Sequence, residues 1–450
     1  MLKLKLSQIA EPLKAVYNND TEFDGVCIDT RKITPNCLFV CIKGERFDAH
    51  TFAQEALDKG AAAVMIHSDI DVNGSFIKVA DTSKALLALG GYYRSLFDIP
   101  VVALTGSVGK TTTKEFTHLV VSAKYNAIKT QGNLNNEIGL PQTLFQIDET
   151  TQAAVIEMGM NHFGEISRLV NATKPTVALI TNIGISHIEN LGSREGILKA
   201  KLEILEGLPK GAPLILNGDN DMLQTVKNDN YNVIFYGVEN GDYRAVNINE
   251  SSNGTSFDIE YYGNIQHIFI PTIGIHNVYN ALAAFVVGCV LDIDAQASAD
   301  ALSKYVPAGM RQRVNVVGGR TCIEDCYNAS PDSMRAALRT LSDIKGNKKI
   351  AVLGDMLELG DYSKDAHMSV GKTAGDYNID YILAYGNDAK YYVEGALAEG
   401  VSSAILFDDK NKLSDALCNL ANEDDVILFK GSRGMKLEDV MNSVYKRWEK

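Results

Sequence analysis

Short continuous apolar runs alternate along this chain with longer stretches in which apolar positions recur at helical spacing, and that pattern predicts an α/β protein in three blocks. Up to residue 97 it predicts strands over 25–31, 38–42 and 62–66, and a helix over 52–59 closed by Gly60. Between 98 and 305 the runs at 101–105, 153–157, 177–182 and 213–217 are apolar up to their last one or two residues, as in strands of a parallel sheet buried on both faces. Residues 243–272 instead alternate polar and apolar positions about a Ser251-Ser252-Asn253-Gly254 turn, which predicts an antiparallel hairpin appended to that sheet. A helix starts near Gly274. Beyond 306 strand and helix alternate afresh, with strands predicted at 321–325, 349–353, 381–385, 404–407 and 426–430, which reads as a separate doubly wound domain.

Chemistry concentrates where these runs end. The strand at 101–105 enters Gly106-Ser107-Val108-Gly109-Lys110-Thr111-Thr112, a loop with two glycines that opens a helix. Glycines let backbone N–H groups approach an anion, and the helix adds unpaired N–H groups and the positive end of its dipole. In such a loop Lys110 reaches the β- and γ-phosphates and the Thr111 or Thr112 hydroxyl holds Mg²⁺. Leu104 stands where the usual pattern has its first glycine, so a plain turn into a helix is the competing reading. Ligands of a parallel sheet collect at the C-terminal ends of its strands, so Glu157, closing the 153–157 run, is expected beside the phosphates as a Mg²⁺ ligand; the alternative is a surface acid. His187 follows the 177–182 strand in the same way.

The helix after His187 has Ser193 as N-cap and Ile197, Leu198, Leu202, Ile204 and Leu205 as its apolar stripe. Lys199, between Glu195 and Glu203 at i±4, belongs on the wet face. Lys201 is centred on the stripe. It either snorkels to water or is a functional lysine that has lost its charge near the phosphates. The helix from Gly274 carries Asn277 and Asn280 on adjacent turns, suited to a purine edge or to capping. In the first block, Asp29-Thr30-Arg31 and Lys43-Gly44 through Asp48 and His50 are polar strand ends that either bind a ligand or merely turn the chain.

Bulk properties narrow the choice. A 450-residue chain with net charge −13 and no lysine or arginine block is a poor partner for nucleic acid or an anionic membrane. Its longest apolar stretch, 281–291, is too short to span a bilayer, and the first residues lack the apolar core of a secretory signal. Seven scattered cysteines with no CxxC pair suit a reducing, cytoplasmic setting. The pairs Cys37/Cys41 and Cys322/Cys326 fall in strand runs, where such spacing separates the thiols, so zinc is not expected.

In their order, Thr105-Gly106-Ser107-Val108-Gly109-Lys110-Thr111-Thr112, Asn135-Asn136-Glu137, Glu157-Met158-Gly159, His187, Ala200-Lys201 and His276-Asn277-Val278-Tyr279-Asn280, followed by the restarted sheet, resemble the ATP-dependent Mur ligases over essentially the whole chain. The stretches 132–139, 325–334, 353–360 and 430–435 are similar to the branch of that family that adds D-alanyl-D-alanine. The resemblance implies a small α/β UDP-sugar-binding domain over 1–97, a central P-loop mononucleotide-binding domain over 98–305 and a C-terminal Rossmann-like domain over 306–450. It implies a monomeric cytoplasmic enzyme of peptidoglycan precursor synthesis whose substrates are UDP-N-acetylmuramoyl-tripeptide, D-alanyl-D-alanine and ATP. An acyl phosphate forms and the dipeptide amine displaces phosphate. Carried over by position, Gly106, Ser107, Val108, Gly109, Lys110, Thr111 and Thr112 bind ATP, and Lys110 grips its phosphates. Thr111 holds a first Mg²⁺, and Glu157, His187 and Lys201, the last as a carbamate, hold a second. Asn277 and Asn280 match adenine-side residues, and Asp325 and Asn328 ribose-side ones. Arg311 matches a phosphate-contacting arginine, with Arg313 as the alternative. Thr30, Arg31, Lys43, Gly44, Asp48 and His50 match the UDP-sugar loops, and Asn135 and Asn136 complete the substrate set. The resemblance also implies that the third domain closes over ATP as a rigid body.

Overall fold

The computed structural model describes every residue except Arg46, Ser252, Ala308 and Lys450. Among the described residues the strands form sheets of two, five, nine and six members. Three central strands of the nine-stranded sheet decide where the chemistry sits. Val101–Thr105 lies between Ala153–Glu157 and Val177–Ile180, parallel to both, with Leu104 opposite Glu157 and Thr105 opposite Ile180. Their C-terminal ends are therefore level, and the loops that follow emerge along one edge.

Alternation along these strands divides the interior. Val102, Leu104 and Val155 face a core built with Phe116 and Val120 of the phosphate-loop helix (Lys110–Ser122) and with the helix Ile275–Val290. Ala103, Ala154 and Ile156 face the opposite core, which runs without a break into the first block. The helix Thr82–Arg94 makes that junction. Its buried Tyr93 hydroxyl accepts from the Leu2 N–H at 2.8 Å and donates to the Ile147 carbonyl at 2.7 Å. Next to it Arg94 donates to the carbonyls of Thr173, Phe97 and Ile99, and burial lowers its pKa.

Several elements differ from the sequence reading. The strand expected over 25–31 ends at Cys27, because the Asp29 carboxylate accepts the Arg31 N–H and starts a tight turn over Thr30–Lys32. The helix expected over 52–59 is a 3₁₀ turn, Ala49–Phe52, running into Ala53–Asp58. In place of a hairpin over 243–272 there is a three-stranded antiparallel meander, Tyr243–Ser251, Gly254–Tyr261 and Asn264–Ile270; Ser252 of the turn lies outside the described residues. A further parallel strand, Asn232–Gly237, joins it to Pro213–Asn217.

The third sheet runs in the order Arg313–Val317, Arg320–Asp325, Val426–Lys430, Lys349–Gly354, Tyr381–Tyr385, Ser403–Phe407. All five strands expected there are present and parallel to one another. The antiparallel edge strand Arg313–Val317 was not expected. Its valines Val314 and Val316 point outward, so it lacks the buried run by which its neighbours are recognised.

Tyr93→Phe should remove one buried donor and strand the Ile147 carbonyl, lowering the unfolding free energy by about 1–3 kcal/mol in urea denaturation. An unchanged midpoint would show that this hydroxyl does not tie the first block to the central one.

Candidate active site

The loop after Val101–Thr105 is shaped by close approach. A Cβ at Gly106 would lie 1.9 Å from the Thr181 hydroxyl oxygen. At Gly109, where φ is +82°, it would lie 2.6 Å from the Asn280 side-chain oxygen, so both glycines are required by their surroundings. The Asn182 side-chain oxygen accepts the Ser107 and Val108 N–H groups at 3.1 and 2.9 Å, and Thr181 Oγ1 donates to the Val108 carbonyl at 2.6 Å. The phosphate-loop helix then presents first-turn N–H groups that have no intrahelical acceptor. Lys110 folds back to donate to the Gly106 carbonyl at 2.8 Å. Burial lowers its pKa, Glu157 opposes the fall and Arg311 adds to it.

Glu157 is 2 % exposed, and both oxygens of its carboxylate have partners. Thr111 Oγ1 donates to Oε2 at 3.1 Å, Asn135 Nδ2 donates to Oε1 at 2.8 Å, and the Lys114 ammonium lies 3.6 Å from Oε2. The backbone N–H of Glu157 is held by Thr130 Oγ1 at 3.0 Å. Asn136 acts on the backbone instead. Its side-chain oxygen accepts the Ile138 and Gly139 N–H groups and caps the helix Gly139–Leu144.

His187 takes the left-handed conformation, φ +63°, at the start of Ile188–Leu191. Its Nδ1 lies 2.9 Å from a carboxylate oxygen of Glu358 in the third domain, without the alignment of a hydrogen bond. Glu358 is itself at φ +64°, so both sides of this interdomain contact sit in a conformation that costs a non-glycine residue energy.

The helix Arg194–Leu202 is capped by Ser193, whose hydroxyl accepts the Gly196 N–H at 3.2 Å. Lys201 does not snorkel: it is 2 % exposed. Burial and the neighbouring Lys110 drive its pKa well below the ordinary lysine value. Among the described residues it has neither a hydrogen bond nor an ion pair. Lys199 is exposed as expected, but Glu203 does not pair with it; that carboxylate accepts the Gly164 and Ser167 N–H groups at 2.7 and 3.1 Å.

The level loops and the strand ends of the third sheet enclose a cavity of about 670 Å³. Ser107 to Thr112, Asn135, Asn136, Glu157, His187, Asn280, Arg311, Asp325 and Asn328 all line it. Arg311, not Arg313, faces the cavity and stacks 3.8 Å from the Tyr327 ring centre; Arg313 is exposed on the edge strand. Asp325 is paired with the buried Lys430 at 2.6 Å, and Lys430 also donates to the Asn328 carbonyl at 3.1 Å. Asn280 accepts from Thr113 Oγ1 at 3.0 Å, whereas the Asn277 amide is spent on Thr272, Ile273 and Gln312. Asn277 and Lys201 support the wall without lining it.

The first-block residues do not join this cavity. Arg31 is tied to Asp29 through Nε and a terminal nitrogen at 2.9 and 2.8 Å, next to Thr30 in the tight turn. Lys43 lies 3.4 Å from Asp48 on the loop that includes Gly44. His50 is buried, its Nδ1 2.6 Å from Asp48 and its Nε2 accepting the His67 N–H at 3.1 Å, so it shapes the loop from inside. Sequence reasoning overlooked Asn182, Lys114 and Asp219, the last a cavity-lining carboxylate that accepts the Tyr279 hydroxyl at 2.8 Å. Asn182 and Asp219 follow parallel strands and were open to the same argument as Glu157; Lys114, one turn past Thr111, gives no signal distinct from an ordinary helical lysine.

The profile described as "Mur ligase middle domain" matches residues 104–288, "Mur ligase, glutamate ligase domain" matches 311–433, and "Mur ligase family, catalytic domain" matches 22–90. The chain is 40 % identical over 454 residues, 99 % of each protein, to the UDP-N-acetylmuramoyl-tripeptide–D-alanyl-D-alanine ligase of Bacillus subtilis (strain 168). Its fold is similar to a crystal structure of MurF from Acinetobacter baumannii, with TM-score 0.93, 31 % identity and 99 % of both chains covered. It is also similar to MurF ligase from Thermotoga maritima in complex with ADP, with TM-score 0.86, 28 % identity, and 94 % and 98 % covered.

A lysine kept neutral by folding destabilises the native state wherever the unfolded chain holds a proton that the native chain does not. Between the lowered native pKa of Lys201 and the ordinary 10.5, this group should therefore add about 1.4 kcal/mol of stability per unit rise in pH. Lys201→Met should be the more stable protein near neutrality in CO₂-free buffer, with its advantage shrinking as pH rises. Parallel urea curves at every pH would show that Lys201 is charged when folded.

Proposed function

The chain belongs to the Mur ligase family, and we propose that it performs amide ligation with the groups gathered around its phosphate loop. It is an ATP-dependent, ADP-forming ligase that joins D-alanyl-D-alanine to UDP-N-acetylmuramoyl-tripeptide in peptidoglycan precursor synthesis. The observation that carries the residue assignments is the common cavity of Lys110, Thr111, Glu157, His187 and Arg311, with cations and carboxylate arranged around one loop.

We assign the β- and γ-phosphates to the first-turn N–H groups and Lys110. Arg311 reaches the same phosphates from the third domain, held flat by Tyr327. The residues fit divalent-cation binding: a buried carboxylate already aligned with a threonine hydroxyl is a hard-oxygen donor pair. Thr111 and Glu157 would hold one Mg²⁺, and Glu157, His187 and a carbamate on Lys201 a second. Mg²⁺ supplies charge neutralisation as the tripeptide carboxylate takes the γ-phosphoryl group. Burial lowers the Lys201 pKa, which suits its amine to carbamoylation: in the unprotonated form the nitrogen lone pair forms the N–C bond to CO₂ and a proton leaves to solvent, producing an anion beside Lys110. Asn280, Asp325 and Asn328 are assigned to the nucleoside, with Asn277 holding Gln312 behind it.

No nucleophilic side chain is needed, because the dipeptide amine attacks the acyl phosphate and phosphate leaves; the enzyme stabilises the charge that develops. Thr30, Arg31, Lys43 and Gly44 are assigned to the UDP-sugar, on a loop shaped by Asp48 and His50. The units 1–97, 98–305 and 306–450 divide these roles, and the third closes on the second through contacts such as His187 with Glu358. We assign the enzyme to the cytoplasm as a monomer; no described helix is long and apolar enough to cross a membrane.

With UDP-N-acetylmuramoyl-tripeptide, D-alanyl-D-alanine and ATP, mass spectrometry should detect the pentapeptide product and equimolar ADP. Lys110→Ala and Glu157→Gln should each lower kcat/KM by about 10²–10³-fold. Absence of product from the wild-type chain would refute the reading. Lys201→Ala should be inactive and partly rescued by short carboxylates, and ¹³C-bicarbonate should yield a carbamate resonance that the variant lacks. Failure of both would leave Lys201 a structural amine.

A further inference from the structure

Lys114 lies one turn along the phosphate-loop helix from Thr111, so the two side chains leave the same face and meet the same carboxylate. Its side chain is completely buried. The ammonium lies 3.6 Å from Glu157 Oε2 and 3.4 Å from Glu115 Oε1, and it donates to the Gly132 carbonyl at 3.2 Å. One hydrogen bond and two ion-pair contacts thus surround the buried ammonium. Glu115 is shared with Lys129, so it compensates only part of that charge. Lys114 is absent from the cavity wall.

Two effects follow from this placement. The bond to Gly132 ties down the loop that delivers Asn135 to the other oxygen of Glu157, so one ammonium orients both sides of the carboxylate. It also balances the charge of Glu157. A divalent cation arriving alone meets a carboxylate already paired at short range in a poorly screened interior. One arriving with a polyphosphate brings further anionic oxygens and needs less from Glu157.

We propose that Lys114 is a positioning residue whose buried ammonium holds Glu157 and the Gly132 loop and makes divalent-cation binding at Glu157 conditional on bound nucleotide. The inference rests on the assignment of Glu157 as a cation ligand. A merely structural lysine would leave nucleotide-free cation affinity unmoved when replaced.

Mn²⁺ is the probe, titrated into the full-length protein without nucleotide, with free Mn²⁺ read by electron paramagnetic resonance. Wild type should bind weakly. Lys114→Met, and Lys114→Gln as a second variant that keeps a polar head for Gly132, should bind Mn²⁺ about tenfold more tightly or better, because the paired cation is gone. Adding Glu157→Gln to either should abolish the gain. Tight nucleotide-free binding by wild type overturns the proposal without any variant, as does a gain that survives Glu157→Gln. If Glu157→Gln alone leaves Mn²⁺ binding in the presence of ADP unchanged, the assignment of Glu157 has failed. If that variant weakens binding while the Lys114 variants change nothing, only the role of Lys114 has failed.

Discussion

A carboxylate buried at the end of a parallel strand is the constraint on which the rest of the site depends. Glu157 is taken out of water by the sheet and the phosphate-loop helix, and an ionised carboxylate there is tolerable only if each oxygen has a partner. Thr111, Asn135 and Lys114 meet that requirement from two separate segments of chain. Satisfying the acid therefore fixes the first turn of the phosphate-loop helix against the loop around Asn135. The geometry needed for phosphate and cation chemistry is in this sense a by-product of hiding one charge.

The remaining charges follow the same logic from farther away. Lys110 has Lys201 and Arg311 as like-charged neighbours, and burial lowers the pKa of both lysines. Burial pushes the Lys201 pKa down, while Lys110 turns back onto the Gly106 carbonyl. The third domain contributes through groups that are already committed: Arg311 is flattened on Tyr327, and Asp325 is locked to Lys430. Such pre-ordered side chains lose little freedom when the nucleotide binds.

Recognition of phosphate loop, strand-end acid and lone stripe lysine needed only local pattern. Val101–Thr105 and Ala153–Glu157 are legible because a run buried on both faces has no polar interruption, and Glu157 stands out because it ends such a run. The edge strand Arg313–Val317 and the third strand of the meander, Asn264–Ile270, are half-exposed and carry no such mark. Asn277 and Asn280 look alike at helical spacing. One turns inward to Gln312 and the other borders the cavity because their neighbours differ, which no spacing rule expresses.

The chain's own order of residues determined the alternation of strands and helices, the glycines at 106 and 109, the capping by Ser193 and the presence of a lysine that could not comfortably stay charged. These are properties of stretches shorter than one strand–helix unit, where neighbouring residues are also neighbours in space. Tertiary structure decided whether Lys201 reached water, which of Arg311 and Arg313 faced the cavity, what paired with Glu203, and that Lys114 and Asn135 would share one carboxylate. Each of those outcomes depends on segments far apart in the chain being brought within hydrogen-bonding distance, and the strength of a charge interaction is set by that distance and by the water excluded around it.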